Sequence, residues 1–415
     1  MNEREKLVSK RRFKEFKNSD AWEQRKLGDL GSFKNGMNFD KSAMGHGYPF
    51  VNLQNIFGKT IVDDSDLGLA VSSEKQRNDY NLLKGDILFI RSSVKPEGVG
   101  EAALVPKNFE NTTFSGFIIR FRPHIAIDDE FKRIIFATKN ARTQIMALAT
   151  SSANTNINQE SLEKITVELP ELSEQSKIGH LFKQLDETIA LHQRKLDKTK
   201  AIKSAYLSEM FPVEGERKPK RRFVEFTDDW EQHKLTDEVE LFSGLTYSPN
   251  NIVKGNGTLV LRSSNVKNGE VIDADNVYVN SDVVNSNNVK NGDIIVVVRN
   301  GSRSLIGKHA QIKGEKDNTV IGAFMTGLRS DHSDFINALL DTPVFKGEID
   351  KNLGATINQI TNGMFHQMKF MIPTPEEQDR VGEIFTGLDN LITLHQHKLD
   401  KLQTIKKAYL NEMFI

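Results

Sequence analysis

The chain has 415 residues, with 56 lysines and arginines balanced by 56 aspartates and glutamates, and no cysteine. That length exceeds a usual single domain, and the missing cysteines exclude disulfide frameworks, thiolate zinc sites and cysteine nucleophiles. The charge balance leaves nucleic-acid binding open without supporting it, and no apolar run reaches the roughly 18–20 residues of a membrane span. Met1-Asn2-Glu3-Arg4 has no apolar segment behind it, so a cytoplasmic protein without membrane contact is expected.

In chain order, the sequence is written twice. Arg11-Arg12-Phe13, followed by Trp22-Glu23-Gln24-Arg25-Lys26-Leu27, returns as Arg221-Arg222-Phe223 and Trp230-Glu231-Gln232-His233-Lys234-Leu235. Residues 169–211 and 372–414 align without a gap, at about half identity. Between these markers the copies diverge but keep a skeleton. Pro49–Ile56 matches Thr258–Val266 in character, and Lys84–Ser92 matches Asn291–Asn300. Each is a short β-branched or aromatic run, and the second pair follows a Gly-Asp turn, which reads as buried strands. Another strand is expected at Phe114–Phe121, and helical patches at Asp129–Ala147 and Ser333–Lys351. Each copy therefore holds a mixed α/β globule.

After each globule the period changes. Ile178, Phe182, Leu185, Ile189, His192, Leu196, Ile202, Tyr206 and Met210 mark one apolar seam. Val381, Phe385, Leu388, Ile392, His395, Leu399, Leu402, Tyr409 and Met413 mark the other. Such three-and-four spacing belongs to a coiled coil, and Thr374-Pro375-Glu376-Glu377 opens the second helix as a capping box with proline at its first position. Neither helix is apolar all round, so the two are expected to pair antiparallel, each about 55 Å long at 1.5 Å per residue. The expected division is a globule over 1–168, a helix over 169–211, a linker over 212–222, a globule over 223–371 and a helix over 372–415. Rods that agree and globules that differ suit a ruler carrying two readers, such as a protein that binds two DNA half-sites at fixed separation.

The Trp-Glu-Gln-x-Lys-Leu runs, the Gly-Asp-Ile strands, Leu169-Pro170 with Glu174-Gln175 before a long helix, and the helix end Ala205-Tyr206-Leu207-Ser208-Glu209-Met210-Phe211 occur together. In that combination the chain resembles the specificity subunits of type I restriction–modification enzymes over nearly its whole length. The resemblance implies two target-recognition domains related by a pseudo-twofold axis, binding double-stranded DNA at a split sequence. It further implies docking of two modification (methyltransferase) subunits and two restriction (translocase–nuclease) subunits. The methylation, of adenine at N6, would be theirs, as would S-adenosylmethionine, ATP and magnesium. No amino-methyltransferase motif or glycine-rich cofactor loop occurs in this chain, so no catalytic residue is expected.

Residues that touch DNA are expected in polar loops directly after strands. In the first globule these are Lys34, Asn35, Asn52, Gln54, Arg91, Ser92, Ser93 and Lys95. In the second they are Arg262, Ser263, Ser264, Asn265, Arg299, Asn300, Ser302 and Arg303. Arginine can read guanine bidentately, and Asn or Gln can read adenine; serine and the other cations hold phosphates. The loops Thr150–Asn158 and Gly354–Thr361, at matching places before the two long helices, add Asn154, Asn156, Thr356 and Asn358. The competing account is that half or more of these are ordinary turn formers. Trp22 and Trp230, shared by both copies, are expected to pack each domain onto its rod.

Three other signals are set aside. Gly301–Lys308 imitates a phosphate loop but has one residue too many between its glycines and His309 where Ser or Thr is needed. His395 and His397 point to different helix faces and cannot share a metal; His192 and His395 share one seam position, where a polar residue can fix register. Glu130-Phe131-Lys132 hints at a nuclease pair, but acids at the start of a surface helix explain it better. A scaffold that binds protein partners through its two globules is the rival reading.

Overall fold

The computed structural model describes residues 9–151, 154–353 and 358–414. The chain forms two compact units, one from Met1–His192 with His397–Ile415 and one from Gln193–Gln396.

The first unit is built on an antiparallel sheet in the order Gly31–Asn35, Ile118–Pro123, Ile87–Ile90, Ala102–Leu104. All four residues of Ile87–Ile90 are buried, because the strand is covered on both faces. Side chains alternate across a strand. Ile87 and Phe89 enter a core with Trp22, Phe131 and Phe182, while Leu88 and Ile90 enter a second core with Val51, Ile56 and Phe114. The second unit repeats this plan: Glu240–Ser243, Met325–Arg329, Ile294–Val297, His309–Gln311. Ile294 and Val296 face Trp230, Phe335 and Phe385; Ile295 and Val297 face Leu261, Val266 and Ile321. The shared Gly-Asp turns have a physical basis. Gly85 and Gly292 take φ of +90° and +89°, where glycine is favoured. Asp86 and Asp293 then each hold an arginine through two hydrogen bonds, Arg122 at 2.7 and 2.6 Å and Arg329 at 2.8 and 2.8 Å.

Three expected elements are interrupted. The strand over Phe114–Phe121 is two strands, Thr113–Phe114 and Ile118–Pro123, separated by the turn Ser115–Phe117. The helical patches break at Thr138 and Thr342, whose hydroxyls close one helix and cap the next. Thr138 donates to Ile135 and accepts from Ala141; Thr342 donates to Leu339 and accepts from Phe345. Asp128 does cap a helix start, but Lys132 and Arg133 are buried, not on a surface: Lys132 donates to the Gly85 carbonyl at 2.8 Å and Arg133 meets Asp186 at 2.6 Å.

The long helices run Leu172–Glu209 and Pro375–Glu412, and every expected seam residue is buried or half-buried. Within each unit they pair antiparallel. In the first, Phe182 meets Phe414 and Asp186 meets Lys406 at 2.6 Å. In the second, Phe385 meets Phe211 and Asp389 meets Lys203 at 2.5 Å. Trp22 packs edge-on against Phe131 and Phe414, and Trp230 against Phe335 and Phe211, the packing role expected of them. Thus each globule's core is closed by the last residues of the other repeat's helix. Gly179 and Gly382 permit the approach, since a Cβ there would lie 2.7 and 2.9 Å from the backbone nitrogens of Phe131 and Phe335.

Candidate nucleic-acid interface

In the first unit the central strand Ile87–Ile90 runs directly into Arg91. The Arg91 nitrogen donates to the Phe117 carbonyl at 2.8 Å, and its own carbonyl accepts from Ile157 at 2.9 Å. Ser92 and Ser93 then pair with Asn156 and Thr155. Two segments distant in sequence, the post-strand loop and the loop before the long helix, are therefore one patch. Lys95 is exposed, and its nitrogen donates to the hydroxyl of the largely buried Ser93 at 3.2 Å. Asn156 donates to the Asn154 carbonyl at 2.8 Å.

Asn35 reaches the same place from another strand, and Lys34 precedes it. Asn35 pairs with Ile119, and the following residues clasp the turn: Met37 donates to Phe114 at 2.8 Å, and Gly116 to Met37 at 2.6 Å. The Lys34 ammonium lies 4.5 Å from the centre of the Tyr80 ring, an attraction to the ring face. Asn52 adjoins the same turn, since Ser115 donates to the carbonyl of Val51 at 2.9 Å. Its side chain accepts from Leu53, while exposed Gln54 donates to Asp66 at 3.4 Å.

The second unit assembles the equivalent patch. Arg299 pairs with Gln359, and Ile360 donates to the Val298 carbonyl at 2.8 Å. Asn358 donates to Gly301 at 3.4 Å, and Asn300 to the Ser263 hydroxyl at 3.2 Å, which joins the two strand-end loops. Ser302 shares a hydrogen bond with Ser304, and Arg303 donates to Leu353 at 3.4 Å. Arg262 is half-buried and Ser264 exposed. Thr356 lies outside the described residues.

Asn265 has a different role. It is fully buried; its Oδ1 accepts from the Arg262 nitrogen at 2.9 Å and its amide donates to Ala274 at 2.6 Å. Asn55 does the same in the first unit, accepting from Asn52 and donating to Asp63 and Asp66. Both fasten a loop and offer DNA no free edge, so Asn265 leaves the candidate set for want of exposure. Phe117 and Phe324, at the centre of the two patches, are absent from the expected residues because the apolar run Phe114–Phe121 has the pattern of one unbroken strand. Setting the two copies side by side, Ser115-Gly116-Phe117 against Gly322-Ala323-Phe324, would have revealed a turn at both.

Each patch thus offers arginine or lysine, serine hydroxyls and asparagine amides on loops anchored to a rigid sheet: Arg91 and Lys95 in one unit, Arg262, Arg299 and Arg303 in the other. Those are the groups that hold phosphates and read base edges. Among the described residues, no group of three or more His, Cys, Asp or Glu could hold a metal ion, and no helix is long and apolar enough to cross a membrane.

A family model described as the type I restriction modification DNA specificity domain matches twice, over residues 19–201 and 227–404. The type I restriction enzyme MjaVIII specificity subunit of Methanocaldococcus jannaschii is 24% identical over 267 residues, which are 62% of this chain and 63% of that protein. The match therefore spans less than two thirds of that relative's length. The putative type I restriction enzyme MjaX specificity subunit of the same organism is 24% identical over 407 residues, 94% of this chain and 92% of that one. The crystal structure of the type I restriction–modification system S subunit from M. genitalium shares the fold, with a TM-score of 0.67 at 15% identity over 99% of each chain.

Proposed function

The chain belongs to the family defined by the type I restriction modification DNA specificity domain, and from that premise we propose that it is the DNA-reading subunit of such a complex. Each unit binds one half of a bipartite duplex site, and the long helices set the gap between the halves. The helices also dock two modification subunits and, for cleavage, two restriction subunits. This chain contributes recognition and no chemistry; S-adenosylmethionine, ATP and magnesium act on the partners.

The observation that carries the reading is the repetition of one patch in both units with different residues. The Phe117 and Phe324 carbonyls accept from the residue that follows each central strand, Arg91 at 2.8 Å and Val298 at 3.0 Å, while the loops around them differ. Two readers of one design and unlike lettering fit a split, asymmetric sequence. The test is single-molecule mapping of methylated adenines in cells with and without this gene, co-expressed with its modification subunit. A new split motif methylated on both strands is expected. No new motif, with the modification subunit shown active beside another specificity chain, would replace this reading with the protein scaffold.

The ruler makes a further prediction. Seven residues inserted after His192 and seven after Gln396 preserve the seam and lengthen each helix by about 10.5 Å at 1.5 Å per residue. At roughly 3.4 Å per base pair, the mapped gap should grow by about three base pairs with both half-sites unchanged. A gap of unaltered length sinks the ruler.

A further inference from the structure

Of the chain's 25 phenylalanines, only Phe57, Phe117 and Phe324 are exposed, the last two at 55% each. A single exposed apolar side chain needs no explanation. A pair at the same place in two otherwise divergent copies does. Each is the last residue of the turn before the strand that pairs with the fully buried central strand. Each accepts, through its carbonyl, the nitrogen of the residue after the central strand, Arg91 at 2.8 Å and Val298 at 3.0 Å, and Phe324 also accepts from Arg299 at 3.3 Å.

Neither turn is free to fold its ring inward. Gly116 and Ile118 are tied to Met37 and Ser115, and Leu245, Gly322 and Met325 to Ile321, Leu261 and Gly322. The backbone crossing beneath them is so close that a Cβ on Gly36 or Gly244 would lie 2.1 or 2.0 Å from the carbonyl oxygens of Ser115 and Gly322. A guanidinium stands at each turn. That of Arg299 is 5.1 Å from the Phe324 ring centre, and Arg91 donates to the Gly116 carbonyl at 3.3 Å. An aromatic ring held outward among cations and hydroxyls is the composition of a surface that follows a phosphate backbone and meets bases with π-faces.

We infer that Phe117 and Phe324 are wedge residues, one per half-site, each pressing its ring into a base step while the neighbouring arginine holds the adjoining backbone. The inference rests on the proposed DNA-reading function and specifies how each unit engages its half-site.

The test uses the full chain assembled with its modification subunit, on duplexes carrying the methylation-mapped site with 2-aminopurine placed at successive steps. Wild-type binding is expected to raise fluorescence at one step in each half-site, as stacking is disturbed there. Phe117→Ala should abolish the signal in one half-site only, and Phe324→Ala in the other only. Each should weaken binding about 5- to 150-fold, the stacking contribution of one base to one ring. Phe→Trp at either place should retain both signal and affinity. Alanine variants that bind within twofold of wild type with unchanged fluorescence overturn the inference and leave the DNA-reading function standing. So do variants that fail to co-sediment with the modification subunit, since the rings would then be protein contacts. A wild-type complex that binds no split site removes the DNA-reading function itself, and the wedges with it.

Discussion

Phe414→Ala is expected to destabilise the first unit by about 3–5 kcal/mol, the range for losing a buried phenylalanine, and to leave the second unit unchanged. Phe414 is 7% exposed and stacks on Phe131 at 5.5 Å, with Trp22 and Phe182 at 6.1 and 5.9 Å. Its removal leaves a cavity that three anchored side chains cannot close. Phe211→Ala should do the same to the second unit, where Phe211 meets Phe335, Phe385 and Trp230 at 5.5, 5.8 and 6.0 Å. Amide hydrogen exchange reads both results. Phe414→Ala should speed exchange over Ile87–Ile90 and Ile118–Phe121 and spare Ile294–Val297; Phe211→Ala should reverse the pattern. Equal acceleration in both units from either variant would contradict the assignment of each plug to one core.

A comparable loss is expected from Arg12→Ala. Arg12 and Glu174 form a two-point pair at 2.7 and 2.6 Å, with side chains only 4% and 0% exposed. Arg222 and Glu377 repeat it at 2.7 and 2.7 Å. Removing the arginine strands a buried carboxylate, which costs about 3–5 kcal/mol, whereas replacing both partners by apolar residues of similar volume is nearly neutral. Arg12→Ala should therefore lower the denaturant midpoint far more than Arg12→Met with Glu174→Leu. If the double variant is as unstable as the single, the pair contributes net stability of its own. The hydrogen bond to Glu174 raises the Arg12 pKa above its ordinary value. A raised pKa gives stability that is fully present below the ordinary value and lost only as pH rises through the raised one, so Arg12 adds no pH dependence near neutrality.

Much of this architecture was legible because duplication prints a signal twice. The seam from Ile178 to Met210 and the Gly-Asp strand starts are short-range patterns, and period and turn chemistry suffice to read them. The breaks at Thr138 and Thr342 were not legible, because one hydroxyl that closes one helix and caps the next leaves the apolar period intact. Nor does a seam say which partner it will find. Three-and-four spacing marked Met210 and Met413 as buried, but only the fold shows that each lies in the opposite repeat's globule. The candidate interface divided along similar lines. Arg91 and Asn156, polar residues in loops flanking one sheet, proved to share a patch. Asn265, of the same residue type and loop position, spends its side chain on backbone. Burial separates the two, and a polar letter in a loop does not encode burial.

The exchanged helix ends have a consequence for inheritance. A plug that closes the neighbour's core is what a domain-swapped pair of identical chains would make, here carried on one polypeptide. One repeat expressed alone would have an open core and an unused plug, and two copies could satisfy each other. Its folding would then depend on concentration, whereas in the fused chain the partner is always at hand. Selection on such a gene could replace one globule wholesale while the plugs and their sockets stay constant, so new pairings of globules would arise by recombination without any remodelling of the joint.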